Sequence, residues 1–258
     1  EPGDDDDDDR RDQRRVFLMK ARLRQLRSDQ SGFTLPELIT AMGIGLVVLL
    51  AAFMLLDRAV SGSTRLADRQ EAVQRGRLAM ELITRQLRSQ VCIGEAQPIL
   101  AADDNSVTFY ANLSSNPNTA QKRRLRYVTA EKRLYEDIYN GTGTFPTLSF
   151  PGSPTTSREL LWPMAQATER VGSTFVTRPI FRYYKYVNNT TTGALQLLST
   201  PLSAADAPEV VMINVAFATL PQRLVERTTD SVDATTFDAN VYVRLADPTK
   251  PTEGPQCL

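Results

Sequence analysis

Residues Phe33 to Leu56 form an apolar run of 24 positions, and its last 19, Leu38 to Leu56, hold Thr40 as their only clearly polar member. As an α-helix such a run spans roughly 36 Å, enough to cross the hydrocarbon layer of a membrane. A helix buried in a soluble core is rarely so long and so apolar on every side, so the run predicts a membrane-spanning segment. Basic residues crowd its N-terminal flank: Arg10, Arg11, Arg14, Arg15, Lys20, Arg22, Arg24 and Arg27. With few basic residues just after the run, this bias predicts the amino end in the cytoplasm and the remainder outside.

Asp4 to Asp9 form an acidic block ahead of those arginines. Residues 1–32 bury too little apolar surface to offset the entropy of ordering, and they read as a charged leader. The chain as a whole has 258 residues, 41% hydrophobic and 23% charged, with no net charge. That suffices for one sizeable core or two small ones.

Two fates compete for the apolar run. An ordinary secretory signal is cut after its apolar core, here near the small residues Ala59 to Ser63, and discarded. The run is long for such a signal and no clean Ala-x-Ala site follows, which favours retention. "GFTLPE", Gly32 to Glu37, lies behind a basic leader and ahead of an unbroken apolar stretch. In this it resembles the class III signal of type IV pilins and type II secretion pseudopilins. The resemblance implies that a prepilin peptidase cuts between Gly32 and Phe33 on the cytoplasmic face and N-methylates the new Phe33 amine. It also gives Glu37 a role. A carboxylate within a bilayer is costly and calls for a partner; the resemblance implies that the Phe33 amine of a neighbouring subunit neutralises it during filament assembly. The plainer alternative leaves Glu37 at the membrane interface, where a helix N-terminus favours negative charge anyway. Many major subunits of the family carry a proline in the membrane half of this helix; here Gly43 and Gly45 are present but no proline follows Pro36.

Helical periodicity continues past the membrane. Ala59, Leu66, Val73, Met80 and Leu87 recur every seven residues, with Ile83 and Val91 at intermediate turns and Arg65, Asp68, Arg69, Glu71, Arg75, Arg85 and Arg88 on other faces. One amphipathic stem is expected, so that the helix runs from about Phe33 to about Val91. "RGRLAMELITRQLRSQV", Arg75 to Val91, resembles the same region of J-type pseudopilins and PilW-like minor pilins. An intact Glu37 and a large head fit that position better than a major subunit or the K-type tip component, which typically lacks this glutamate.

After Cys92 the pattern becomes alternation. Ser106–Leu113, Arg123–Ala130 and Lys132–Tyr139 read as strands, with Ala130-Glu131 as a tight connection, and Pro179–Val187, Ala194–Ser199, Glu209–Leu220 and Thr236–Ala246 follow. "NGTGTFPTLSFPGSPTTS", from Asn140, reads as the longest loop. The expected fold class is α+β: a long membrane-spanning N-terminal helix that continues as a stem packed on an antiparallel β-sheet head, as in pilins. The divisions are a leader at 1–32, a spanning segment at 33–56, a stem at 57–92 and a β-rich head at 93–258. Cys92 and Cys257 are the only cysteines. In an extracytoplasmic head they form either one disulfide, tying the tail to the stem, or two free thiols.

Catalytic chemistry finds little support. The chain has no histidine, which removes Ser-His-Asp and Cys-His nucleophiles and the usual zinc sites. It also lacks a glycine-rich phosphate loop. No cofactor is expected. Asp103, Asp104 and Asn105, or Asp230, Asp233 and Asp238, offer calcium-type oxygens, but the first trio suits a hairpin turn and the second a polar loop. "FRYYKY", Phe181 to Tyr186, interleaves aromatic and basic residues as single-stranded nucleic-acid sites do. Strand alternation makes one of its aromatic rows core, so nucleic acid is not an expected partner. The sequence reading is therefore a non-enzymatic minor pilin or pseudopilin, anchored in the cytoplasmic membrane with its head outside. Its expected partners are the prepilin peptidase, other pilin subunits and the membrane. The alternative is a signal-anchored extracytoplasmic binding domain that never polymerises.

Overall fold

A computed structural model describes residues 33–187, 194–222, 234–243 and 257. The leader, with Gly32, and the loop residues Asp230 and Asp233 lie outside the described residues. The chain divides into two compact units, Glu1–Gly62 and Ser63–Leu258.

The first element of the described residues, α1, is one α-helix from Leu35 to Arg88. Pro36 falls in its first turn, where a missing N–H costs nothing. The sequence expects the helix to run three residues further. It stops at Arg88 because the next residues find strand partners instead: Val91 N–H donates to Tyr110 O at 3.1 Å, and Asn112 N–H donates to Ser89 O at 2.9 Å. Arg85 and Arg88 sit in the last turn, where cations complement the helix dipole.

Among the described residues the head contains two sheets and a hairpin, all antiparallel. The first sheet is a meander of β1 (Ile99–Ala102), β2 (Ser106–Ala111), β3 (Gln121–Val128), β4 (Arg133–Asn140) and β5 (Thr156–Leu161), paired in chain order. The β3–β4 turn places Lys132 at φ +54°. β5 begins inside the segment that the sequence marks as the longest loop. Only its Leu160 and Leu161 turn inward while Thr156 to Glu159 stay exposed, so an edge strand carried too little apolar signal.

The second sheet is built on β11 (Met212–Thr219). Along one side it pairs with β12 (Thr235–Tyr242). Its other side is shared by β9 (Phe181–Tyr186), opposite Met212 to Val215, and β6 (Met164–Gln166), opposite Phe217 to Thr219. β10 (Leu195–Leu197) lies outside β9. β11 is buried at every position, which is why "MINVAFAT" reads as a nearly continuous apolar run. Between β6 and β9 a separate hairpin forms from β7 (Thr168–Val171) and β8 (Thr174–Thr177).

The core draws Ile83 and Leu87 from α1 together with Val107, Phe109, Leu125, Leu134, Phe181, Tyr183, Ile213, Val215 and Phe217. The buried line on the stem is Ala72, Gly76, Ala79, Ile83, Gln86 and Leu87. This corrects the seven-residue spacing: Leu66 is 64% exposed. A straight helix with 3.6 residues per turn drifts about 20° per heptad, so a strict heptad line leaves the packed face.

Candidate functional site

The N-terminal half of α1 concentrates the features that point to function. Thr34 opens the helix: its carbonyl accepts from Glu37 N–H at 2.9 Å and Leu38 N–H at 3.1 Å. Its hydroxyl donates to Glu37 Oε2 at 3.5 Å, and the Thr40 hydroxyl donates to the Glu37 carbonyl at 3.0 Å. Glu37 thus lies in the first turn, beside the positive end of the helix dipole. From Phe33 to Ser63 every residue is exposed, including Phe33 at 78% and Ile44 at 67%. An apolar surface this large requires cover, by lipid or by other protein chains. The helix is long and apolar enough to cross a membrane.

At the other end of the stem, Cys92 and Cys257 form a disulfide with their Cα atoms 5.5 Å apart and a sequence separation of 165. The C-terminal tail is therefore tied to the segment that leaves α1.

The acidic trio of the β1–β2 turn works as a joint between the sheets. Asp103 Oδ1 accepts from Asn105 N–H at 2.8 Å and Ser106 N–H at 2.6 Å. Asp104 O accepts from Phe181 N–H at 3.1 Å, and Asn105 O accepts from Tyr127 N–H at 2.8 Å. The Asp104 carboxylate accepts from Thr200 Oγ1, and Asn105 Oδ1 accepts from Gln166 Nε2 at 3.1 Å. Asp238, from the second trio, pairs with Arg178 at 2.6 Å and accepts from Asn214. Among the described residues, no three His, Cys, Asp or Glu side chains gather to hold a metal.

"FRYYKY" is β9, and Phe181 and Tyr183 are fully buried. The Tyr183 hydroxyl lies between Asp103 O at 3.1 Å and Ser106 O at 3.0 Å. Desolvation, with the nearby Asp103 and Asp104 charges, pushes this phenol well above its usual range. Lys185, on the same alternation, reaches the strand end and pairs with Glu209 at 2.6 Å. The basic residues of this stretch are thus spent on internal pairs.

Sequence reasoning missed two charged networks. On the inner face of the first sheet Glu136, fully buried, is held by Arg123 and Arg158, and burial pulls the Arg123 guanidinium below its ordinary value against the opposing pull of Glu136. At the β7–β8 hairpin Glu169 accepts from both guanidinium ends of Arg182. Bonding to Arg182 holds the Glu169 carboxyl below the usual range. The available signal for the first network was Arg123 falling on the same strand face as Leu125 and Tyr127 in "KRRLRY".

No curated protein matches the chain. A family model described as the prokaryotic N-terminal methylation motif matches residues 27–53. Phe33, Glu37 and α1 as far as Phe53 therefore fall within a match to the prokaryotic N-terminal methylation motif.

Proposed function

We propose that this chain is the precursor of a minor pilin or pseudopilin, a structural subunit of a type IV pilus or type II secretion pseudopilus. The observation that carries the reading is the coincidence of the methylation motif at 27–53 with an exposed, membrane-length helix that begins two residues after Phe33. In this reading a prepilin peptidase cleaves between Gly32 and Phe33, methylates the Phe33 amine and leaves a subunit anchored in the cytoplasmic membrane with its head outside. Residues 33–56 then form the filament core, 57–92 the stem and 93–258 the head. Glu37 meets the Phe33 amine of a neighbouring subunit, whose positive charge offsets the cost of a carboxylate in lipid. The stem from Arg75 to Val91 and the retained Glu37 support a J-type or PilW-like position.

Mass spectrometry of the N-terminal peptide tests the reading. Co-expression with a prepilin peptidase is expected to yield a methylated N-terminus at Phe33, and omission of the peptidase is expected to leave residues 1–32 attached. Glu37→Ala is expected to be cleaved normally but to be lost from sheared filaments. A leader retained in the presence of the peptidase would favour the non-polymerising anchored domain.

A further inference from the structure

A two-stranded hairpin is at best marginally stable in water, and among the described residues neither long side of β7–β8 is paired; β7 carries the charged Glu169 and Arg170 on its side, whereas β8 carries no charge. Its register pairs Thr168 with Thr177, Glu169 with Val176, Arg170 with Phe175 and Val171 with Thr174. Just before Thr168, Arg178 N–H donates to Ala167 O at 2.8 Å. Bonded and non-bonded pairs alternate along an antiparallel ladder. Glu169/Val176 and Val171/Thr174 are therefore the bonded pairs, and Phe175 and Thr177 direct their N–H and C=O groups away from β7. Among the described residues no backbone group meets them.

All of β8 is exposed, with Phe175 at 72% and Val176 at 39%. Proteins normally guard such an edge with charge, proline or cover. Here β5 carries Arg158 and Glu159, and β12 carries Asp238, whereas β8 reads Thr174-Phe175-Val176-Thr177. The Glu169–Arg182 pair fixes the base of the hairpin at 2.9 Å, so the open edge is presented already extended.

We propose that β8 pairs antiparallel with β8 of a second copy of this chain, joining two hairpins into one sheet about a two-fold axis. Main-chain groups at strand spacing select an extended strand as the occupant, and a two-fold contact requires a patch complementary to itself. The register centred on Val176 meets that requirement. Val176 faces its counterpart, and Phe175 faces Thr177 of the second copy, exchanging N–H and C=O bonds in both directions. A register centred on Phe175 sets Thr177 against Ser173 of the turn, and one centred on Thr177 sets Phe175 against Pro179, which has no N–H. In the favoured register no like charges meet, and the aromatic and β-branched side chains fall on shared faces.

The test uses the full chain in detergent micelles, with protein mass read by sedimentation over a range of concentrations. Phe175→Pro removes an outward N–H together with the ring that faces Thr177 of the second copy, and leaves the hairpin's own bonds in place. The wild type is expected to enter a monomer–dimer equilibrium, and F175P to raise its midpoint concentration roughly tenfold or more. Because α1 can also associate, a cross-link separates the surfaces. Val176→Cys is expected to form a disulfide-linked dimer roughly tenfold faster than Arg170→Cys on the far strand. Superimposable sedimentation of wild type and F175P, or equal cross-linking at 176 and 170, would overturn the proposal.

Discussion

At Gly76 an added Cβ would lie 2.2 Å from Phe237 Cε2, 2.6 Å from Phe237 Cζ and 2.8 Å from Thr219 Cγ2. The absence of a side chain is what lets the stem settle on β11 and β12. Gly76→Val is therefore expected to lower unfolding stability by about 1–3 kcal/mol through overpacking, measured as a reduced urea midpoint. Gly62→Val, where nothing lies within 4 Å, is the comparison and is expected to leave the midpoint unchanged or slightly raised. Gly76 also shows why the stem's packed face was hard to read. Leu66, Val73 and Met80 score as apolar and draw the eye, whereas the seam is lined by Ala72, Gly76 and Ala79, whose smallness brings the backbones together. Glu136 was hidden for a related reason: a charge in a strand reads as solvent-facing, and only the pairing of β3, β4 and β5 brings Arg123 and Arg158 onto it.

Among the elements, those whose side chains alternate in polarity were legible. β2, β3, β4, β9, β10, β11 and β12 overlap the expected segments Ser106–Leu113, Arg123–Ala130, Lys132–Tyr139, Pro179–Val187, Ala194–Ser199, Glu209–Leu220 and Thr236–Ala246, with ends shifted by up to a few residues. The missing strands were short or lay at edges. β7 and β8 did leave a sign, since Gly172-Ser173 between two β-branched runs is a two-residue hairpin turn, with Gly172 at φ +63°. The anchoring of that hairpin has a pH signature. Glu169 titrates below its unfolded value because Arg182 bonds its charged form. Its contribution is therefore complete above the unfolded carboxylate range and is lost as pH falls through the lowered folded value. Glu169→Gln is expected to be less stable than wild type at neutral pH, and the gap between their urea midpoints is expected to close on acidification.

For the whole molecule, the apolar run and the GFTLPE motif carried the long N-terminal helix and the methylation motif, because length and unbroken hydrophobicity need no tertiary context to be recognised. The sheet order was not legible, since pairing depends on which edges meet after collapse. The Cys92–Cys257 bond closes a loop across 165 residues. In the chain-entropy account a loop of that size restricts the unfolded ensemble by about 5 kcal/mol. The Cys92→Ser, Cys257→Ser double variant is expected to unfold at a clearly lower urea concentration, with the loss bounded by that figure, and reduction of the wild type is expected to add two hydrogens in mass.

The exit of the chain from α1 bears on mechanics. Ser89 and Val91 join the β2 ladder within three residues of the last helical turn, leaving no slack joint between rod and sheet. A twist or pull delivered along the stem therefore passes directly into the hydrogen-bond ladder of the first sheet, so the two turn together as a lever with no hinge to absorb the load.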